Sequence, residues 1–296
     1  VYGPPGSKKL IVFVDDLNMP FVDLYGTQAP IALLRQHLDY KSWYDRTKMT
    51  LKEVHNLQYL AAMNPTAGSF NINPRLQRHF AVFACFFPSE TSLKTIFSSI
   101  VTNVFGEFES GIVKMTDQLV TAAIELHKGV TDRFLPTAIK FHYQFNLRDL
   151  SNVFQGICRA HSKHFTKPFD LVRLWLHEAT RVYSDRMITE TDMNNLYDMM
   201  SDLAKKYFDD LDQEALTQLP IAACSFFVPP SADGKFYTLV KDDTKLKQIL
   251  ETKLEEYNEN YAKMDLILFE MAIDHVCRIS RILDIPRGNA LLVGVG

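Results

Sequence analysis

The stretch LIVFVDD, residues 10–16, constrains this chain more than any other. A continuous apolar, partly β-branched run is the mark of a strand covered on both faces, as in a parallel sheet. Its abrupt end in Asp15 and Asp16 sets two carboxylates at the strand's C-terminal edge, where ligands of open α/β sheets bind. LQYLAAM (57–63) and FAVFACFF (80–87) repeat the strand signature. Between the first two, residues 29–40 carry Ile31, Leu34 and Leu38 at helical spacing, followed by a polar segment. After the third, Ser89 follows Pro88 as the expected cap of a helix with Leu93, Ile96, Phe97 and Ile100 on one face. Strands alternating with helices imply an α/β unit built on a parallel sheet.

Beyond about residue 107 the pattern becomes helical. Leu119, Ala123, Leu126 and Val130 recur as a buried stripe should. NLRDLSNVFQGICRA, FDLVRLWLHEATRVYSDRM and TDMNNLYDMMSDLAKKYF read as three more amphipathic helices. FFVPPSADGKFY marks a loop or hairpin, with Asp233-Gly234 as its turn. A long helical stretch follows from about Lys245, broken near Tyr261, and its last part carries Phe269, Ala272, Val276, Ile279 and Leu283 in register. Pro286 stops it, and ALLV (290–293) starts another strand. The expected organisation is an α/β unit over 1–107, a helical lid over 108–208, and a connecting segment with the start of a further α/β unit over 209–296.

Composition excludes several classes. A chain of 296 residues with 47% hydrophobic and 23% charged content is ordinary for folded protein. A net charge of −3 gives no basic field for nucleic acid. The longest apolar run, FAVFACFF, is far short of a membrane span, and no signal peptide is visible. Cys85, Cys158, Cys224 and Cys277 lie far apart in apolar stretches, which fits reduced, buried thiols in the cytoplasm. The chain lacks an initial Met and stops in LLVGVG, so it reads as an internal fragment truncated at both ends.

LIVFVDD matches the Walker B arrangement of P-loop NTPases. Asp15 there can hold Mg²⁺ through water, because Mg²⁺ keeps much of its hydration shell. Asp16 would orient the attacking water or accept its proton, although many such enzymes use the longer Glu. The alternative is a strand followed by an acidic turn. Asn64, after the second strand, suits contact with a γ-phosphate or the attacking water, or else simply opens a turn with Pro65. Arg75 and Arg78 precede the third strand, where an arginine can reach a neighbour's transferring phosphoryl group, or make surface ion pairs. Arg148 suits a second sensor that closes a lid on phosphate, and Asp149 a charge at a helix N-terminus.

The order of these parts is that of AAA+ ATPases. VFVDDLNMP, YGTQAPIALLRQHLDY, NPRLQRHFAVFACFFPSE, FLPTAIKFHYQFNLRDLSNVFQG and LWLHEATRVYSDR resemble the third AAA+ module of axonemal dynein heavy chains, most of all the β-type chains of the outer arm. HVCRISRILDIPRGNALLVGVG is similar to the start of the fourth module, with Gly294 and Gly296 as the first glycines of its phosphate loop. The resemblance covers essentially the whole chain. It implies that Asp15, Asp16, Asn64 and Arg148 serve the third module's site for ATP or ADP with Mg²⁺, and that Arg75 or Arg78 acts on the second module's nucleotide. The family spelling has Arg directly before the Phe, where His79 stands here. The resemblance also implies ATP turnover, or nucleotide holding without turnover, that gates the main motor site. The implied partners are the neighbouring modules, other dynein heavy, intermediate and light chains, and microtubules contacted outside this stretch. The implied setting is the cytoplasm, cytoskeleton and ciliary or flagellar axoneme. The third module's own phosphate loop would precede Val1, so the isolated stretch is expected to be inactive.

GPPGSKKL, near the start, almost spells a phosphate loop. A working loop follows a strand and opens a helix, whereas this one runs straight into a strand, so it reads as a decoy turn. His161 and His164 form a weak metal pair with no third ligand in view. Trp43 and Trp175 read as packing residues, and ETKLEEYNENYAKMD as a solvated helix face.

Overall fold

The computed structural model describes residues 1–65, 71–218, 221–230 and 234–292, in two units, Val1–Phe87 and Pro88–Gly296. In the first unit the order is β1 (Leu10–Val14), α1 (Ala29–Tyr40), β2 (Ser42–Asp45), β3 (Thr50–Glu53), β4 (Leu57–Ala61) and the single turn α2 (Pro74–Gln77). β1 and β4 pair in parallel, in register from Leu10–Leu57 to Val14–Ala61, as the alternating pattern predicts. α1 spans the residues its periodicity marked. Pro30 sits in its first turn, where a missing N–H costs nothing, and Lys41 ends it in the left-handed conformation. Ile31, Leu34 and Leu38 pack with Leu17, Leu76 and Val14.

Three strand expectations are corrected. The polar segment after α1 is the antiparallel hairpin β2–β3, turned at Asp45, whose carboxylate accepts the N–H groups of Thr47 and Lys48 at 3.0 and 3.1 Å. β1 is covered on one face only: Ile11 and Phe13 are 64% and 58% exposed, because among the described residues the packed side chains cover only the Val14 face. FAVFACFF is no strand. A strand exists only where a neighbour takes up its ladder, none does so among the described residues, and Phe83 and Phe86 are 84% and 89% exposed. Cys85 is accordingly exposed rather than buried.

The second unit is helical: α3 (Glu90–Phe105), α4 (Ser110–Arg133), α5 (Leu147–Ile157), α6 (Pro168–Tyr183), α7 (Glu190–Tyr207), α8 (Gln213–Thr217), the two-residue strands β5 (Ala223–Cys224) and β6 (Thr238–Leu239), α9 (Asp243–Asn260) and α10 (Glu270–Leu283). Ser89 caps α3, accepting the Ser92 N–H at 3.2 Å. α3 buries Leu93, Phe97, Val101 and Phe105, while Ile96 and Ile100 stay half exposed. It packs on α4, so the unit boundary falls ahead of α3, whereas composition alone changes near residue 107. Leu119, Ala123, Leu126 and Val130 of α4 are buried, and Trp175 of α6 lies among them in the same core. β5 and β6 flank FFVPPSADGKFY as an antiparallel pair. Gly234 takes a positive φ, and Asp233 lies outside the described residues.

α10 departs from expectation in an informative way. Its buried residues are Cys277 and Arg281, while Phe269 and Leu283 of the anticipated stripe are exposed. Arg281 reaches Glu178 of α6, which is 0% exposed. Its Nε lies 3.2 and 3.1 Å from the two carboxylate oxygens, and a terminal nitrogen donates as well. Tyr237 donates to the same carboxylate at 2.6 Å. Around this core pair Arg181 and Arg278 bind Asp185 and Asp274, so charges tie α10 to α6 and the turn after it. Gly156 of α5 admits Glu178, since a Cβ there would overlap the carboxylate. Gly156→Ala is expected to lower the thermal midpoint of the chain, costing about 1–3 kcal/mol by overpacking, and calorimetry would check it. ALLV shows no strand over 290–292, and Val293 lies outside the described residues. No described helix is long and apolar enough to cross a membrane.

Candidate nucleotide site

In a parallel pair, both chains present their carboxyl ends at one edge. β1 and β4 do so here, and the pairing continues past them: Ala62 N–H donates to Val14 O at 2.9 Å, and Leu17 N–H to Ala62 O at 3.0 Å. Asp15 and Asp16 therefore emerge beside the segment that carries Asn64, and all three are exposed. Asp16 has φ of +49°, a left-handed conformation that Asp tolerates better than most residues, and its N–H donates to Asp15 Oδ1 at 3.1 Å.

Two residues that sequence reasoning passed over hold this edge. Asn18 is buried and donates through Nδ2 to Asn64 O at 3.0 Å, clasping the two strand exits together. Its signal was its place just after the carboxylates in DDLNMP. Gln28, at the start of α1, donates to Pro20 O at 2.8 Å and fixes the intervening loop. Asp23 organises the same loop by accepting the N–H groups of Tyr25 and Thr27 at 3.0 and 2.6 Å.

Asn73 caps α2 by accepting the Arg75 N–H at 2.9 Å, and Arg75 is exposed. Arg78 is engaged: its guanidinium donates to Asp39 of α1 at 2.8 Å, and His79 Nε2 meets the same oxygen at 2.8 Å. Desolvation raises the Asp39 carboxyl, but the hydrogen bonds and charges of Arg78 and His79 outweigh it and hold it below the usual range. Asp39 is a further missed residue, legible in sequence only as the i+4 partner of Arg35.

In the second unit, Arg148 is exposed in the first turn of α5. A cation there opposes the positive end of the helix dipole, at about 0.3–1 kcal/mol, so helix stability does not account for it. Asp149 caps the helix instead. Asn146 and Asp149 form a reciprocal capping box, and Arg186 pairs with Asp149. Gly294 and Gly296 lie outside the described residues.

A group bound at the β1–β4 edge would meet Asp15, Asp16 and Asn64. That donor set fits a magnesium–nucleotide complex, since Mg²⁺ takes few protein carboxylates and fills its shell with water and phosphate. Among the described residues no cluster of three His, Cys, Asp or Glu could hold a metal without such help. His161 and His164 instead pack on the Phe236 ring, each 4.8 Å from its centre. GPPGSKKL leads into β1: Tyr2 bridges Val54, and Gly6 turns with φ of +65°.

Comparison with known proteins agrees with this geometry. A P-loop containing dynein motor region matches residues 1–88, an AAA+ lid domain residues 119–218, and a P-loop containing dynein motor region D4 residues 264–296. The whole chain is 54% identical to dynein axonemal heavy chain 17 of Homo sapiens and 53% identical to the ciliary dynein beta chain of Tripneustes gratilla, spanning 7% of each. It is 49% identical to the flagellar outer-arm dynein beta chain of Chlamydomonas reinhardtii, again over its full length and 6% of that protein. With a parallel sheet edge, a helical lid and likeness from end to end, the chain belongs to the axonemal dynein heavy-chain family, as a stretch of its AAA+ motor region.

Proposed function

We propose that this chain supplies most of the third AAA+ module of a heavy-chain motor ring, with the start of the fourth, and that its module binds Mg²⁺–ATP and hydrolyses it slowly to gate the main motor site. The match of residues 264–296 to region D4 supports the numbering, because the lid match precedes it directly in the chain. The observation that carries the nucleotide reading is the in-register parallel pairing that brings Asp15, Asp16 and Asn64 to one sheet edge.

In this reading Asp15 would hold Mg²⁺ through water, and the ion when bound would offset phosphate charge. Asp16 accepts a proton from the attacking water, Asn64 orients that water, and Arg148 draws the lid to phosphate. Arg75 and Arg78 face the second module's nucleotide. Arg78 shares its charge with Asp39, which leaves Arg75 the freer cation of the two. The remaining partners are other dynein heavy, intermediate and light chains, and microtubules met outside this stretch, in ciliary motility.

A second reading has a specific basis. Asp16 is one methylene shorter than Glu and sits in a left-handed turn, which suits a module that holds nucleotide and transmits strain without turnover. Asp16→Asn in the intact heavy chain separates the two. The hydrolytic reading expects ATP retained at this site, turnover there lowered about ten-fold or more, and altered microtubule gliding velocity. Unchanged turnover and velocity would favour the holding role.

A further inference from the structure

The edge formed by β1 and β4 holds one polar side chain that is buried rather than presented. Asn18 is 2% exposed, although Asp15, Asp16 and Asn64 beside it lie open. A buried amide without a partner costs about 1–3 kcal/mol. Asn18 meets that demand by donating through Nδ2 to Asn64 O at 3.0 Å, across 46 residues of chain. The bond carries the pairing of the two strand exits past Leu17 and Ala62. Pro65 follows Asn64 and has no N–H with which to extend a ladder, so a side chain supplies the tie. The segment presenting Asn18 is itself fixed: Leu17 is buried in the core with Ile31 and Leu76, Met19 N–H donates to Asp16 O at 2.9 Å, and Gln28 holds Pro20 O at 2.8 Å. We propose that Asn18 is a positioning residue for ATP hydrolysis, holding the Asn64 backbone so that the Asn64 amide and the Asp16 carboxylate meet one attacking water.

This role rests on the hydrolytic reading of the site. There Asp16 takes the proton as the water oxygen bonds to the γ-phosphorus and the bond to the bridging oxygen breaks, releasing ADP and phosphate. Asp16 follows β1 and Asn64 follows β4, so the spacing of their side chains depends on what ties the two exits together. Misplacing a reacting group by about 1 Å can cost about a hundred-fold in rate. Asn18 is buried and acts through Asn64, so its loss falls on the chemical step. Asp15 leaves β1 directly after Val14, which the ladder pairs with Ala61, so the carboxylate expected to hold the metal keeps its place without Asn18. Binding of ATP should therefore survive where its hydrolysis does not.

The test uses the intact heavy chain, mixed with ATP and frozen at set times for electron cryomicroscopy, which reads ATP or ADP at this site apart from the other modules. Asn18→Leu keeps the size and burial of the side chain but cannot donate. It should fill the site at an ATP concentration within about three-fold of wild type and convert ATP to ADP there about ten-fold more slowly. Asn64→Ala should slow conversion similarly, and the double variant should be no slower than the slower single, because the two residues act on one water. Asn18→Asp supplies a second measurement, since a neutral acid donates and a carboxylate does not. Its conversion rate relative to wild type should rise as pH falls from about 8 to about 6. Conversion at the wild-type rate in Asn18→Leu, where Asp16→Asn blocks it, would overturn this role and leave the hydrolytic reading standing. Unchanged conversion in Asp16→Asn would remove both. Weaker filling of the site by Asn18→Leu, with normal conversion of the ATP that binds, would also overturn it and make Asn18 a structural tie alone.

Discussion

Arg281→Met is expected to destabilise the helical unit by about 3–5 kcal/mol, the cost of leaving a buried carboxylate without its cation. Glu178 has no solvent of its own, being 0% exposed. Burial raises its carboxyl, yet the charge and hydrogen bonds of Arg281, with help from Tyr237, bring it net below the usual range. Without Arg281 the same burial acts unopposed, and the group must either take up a proton or open the core. Urea unfolding of residues 1–296, followed through buried Trp175 in a Trp43→Phe background, reads the change directly. The midpoint should fall by about 1–3 M for a unit of this size. Glu178→Gln combined with Arg281→Met should recover most of the loss, because Gln keeps an acceptor for Tyr237 and removes the stranded charge. A single variant whose midpoint stays in place would show that Glu178 finds water, contrary to this account. If the pair holds α10 on α6, the same variant should also loosen α10 from α6, read as faster amide hydrogen exchange in α10.

Acidification from about pH 6.5 to about pH 4 is expected to cost the same unit about 3 kcal/mol through His177 alone. Its Nδ1–H donates to Ile221 O at 2.9 Å, and Nε2 is buried with no hydrogen-bond partner. Burial dominates and lowers the imidazole to about 4, with Glu178 pulling the other way and Arg181 and Arg281 adding to the depression. The ring is thus neutral near pH 7, and its 4.0 Å approach to Glu178 is not an ion pair there. With the folded value depressed, the unfolded chain binds the proton first. The contribution is fully present above the unfolded value and is lost as pH falls through the window. His177→Asn keeps a donor for Ile221 but cannot titrate in this range, so its stability should be flatter than wild type by that amount. Parallel curves for the two proteins between pH 7 and pH 4 would sink the assignment. Losses below that window belong to the depressed carboxyls, Glu178 foremost.

Much of the fold was legible because its signals are local. Helix α1 follows from its periodicity and Pro30, α3 from Ser89, and α5 from the Asn146–Asp149 box. The parallel pairing of β1 with β4 follows from apolar runs separated by a helix, and with it the shared edge of Asp15, Asp16 and Asn64. FAVFACFF misled for the opposite reason: apolar content makes a strand only where a partner receives its hydrogen bonds. The face of α10 misled because an arginine in a helix reads as solvated until its carboxylate is found, and Glu178 lies far away along the chain. The Asn18 clasp and the Asp39 bridge to Arg78 are likewise pairings across elements.

The sequence by itself determined the class of this chain, its longer helices, and the carboxylates at the end of β1, since caps, periodicity and strand ends act over a few residues. Tertiary structure alone decided that Glu178 and Arg281 are a buried pair and that His177 is held neutral. Each of those depends on desolvation by elements distant in the chain, and desolvation has no local spelling.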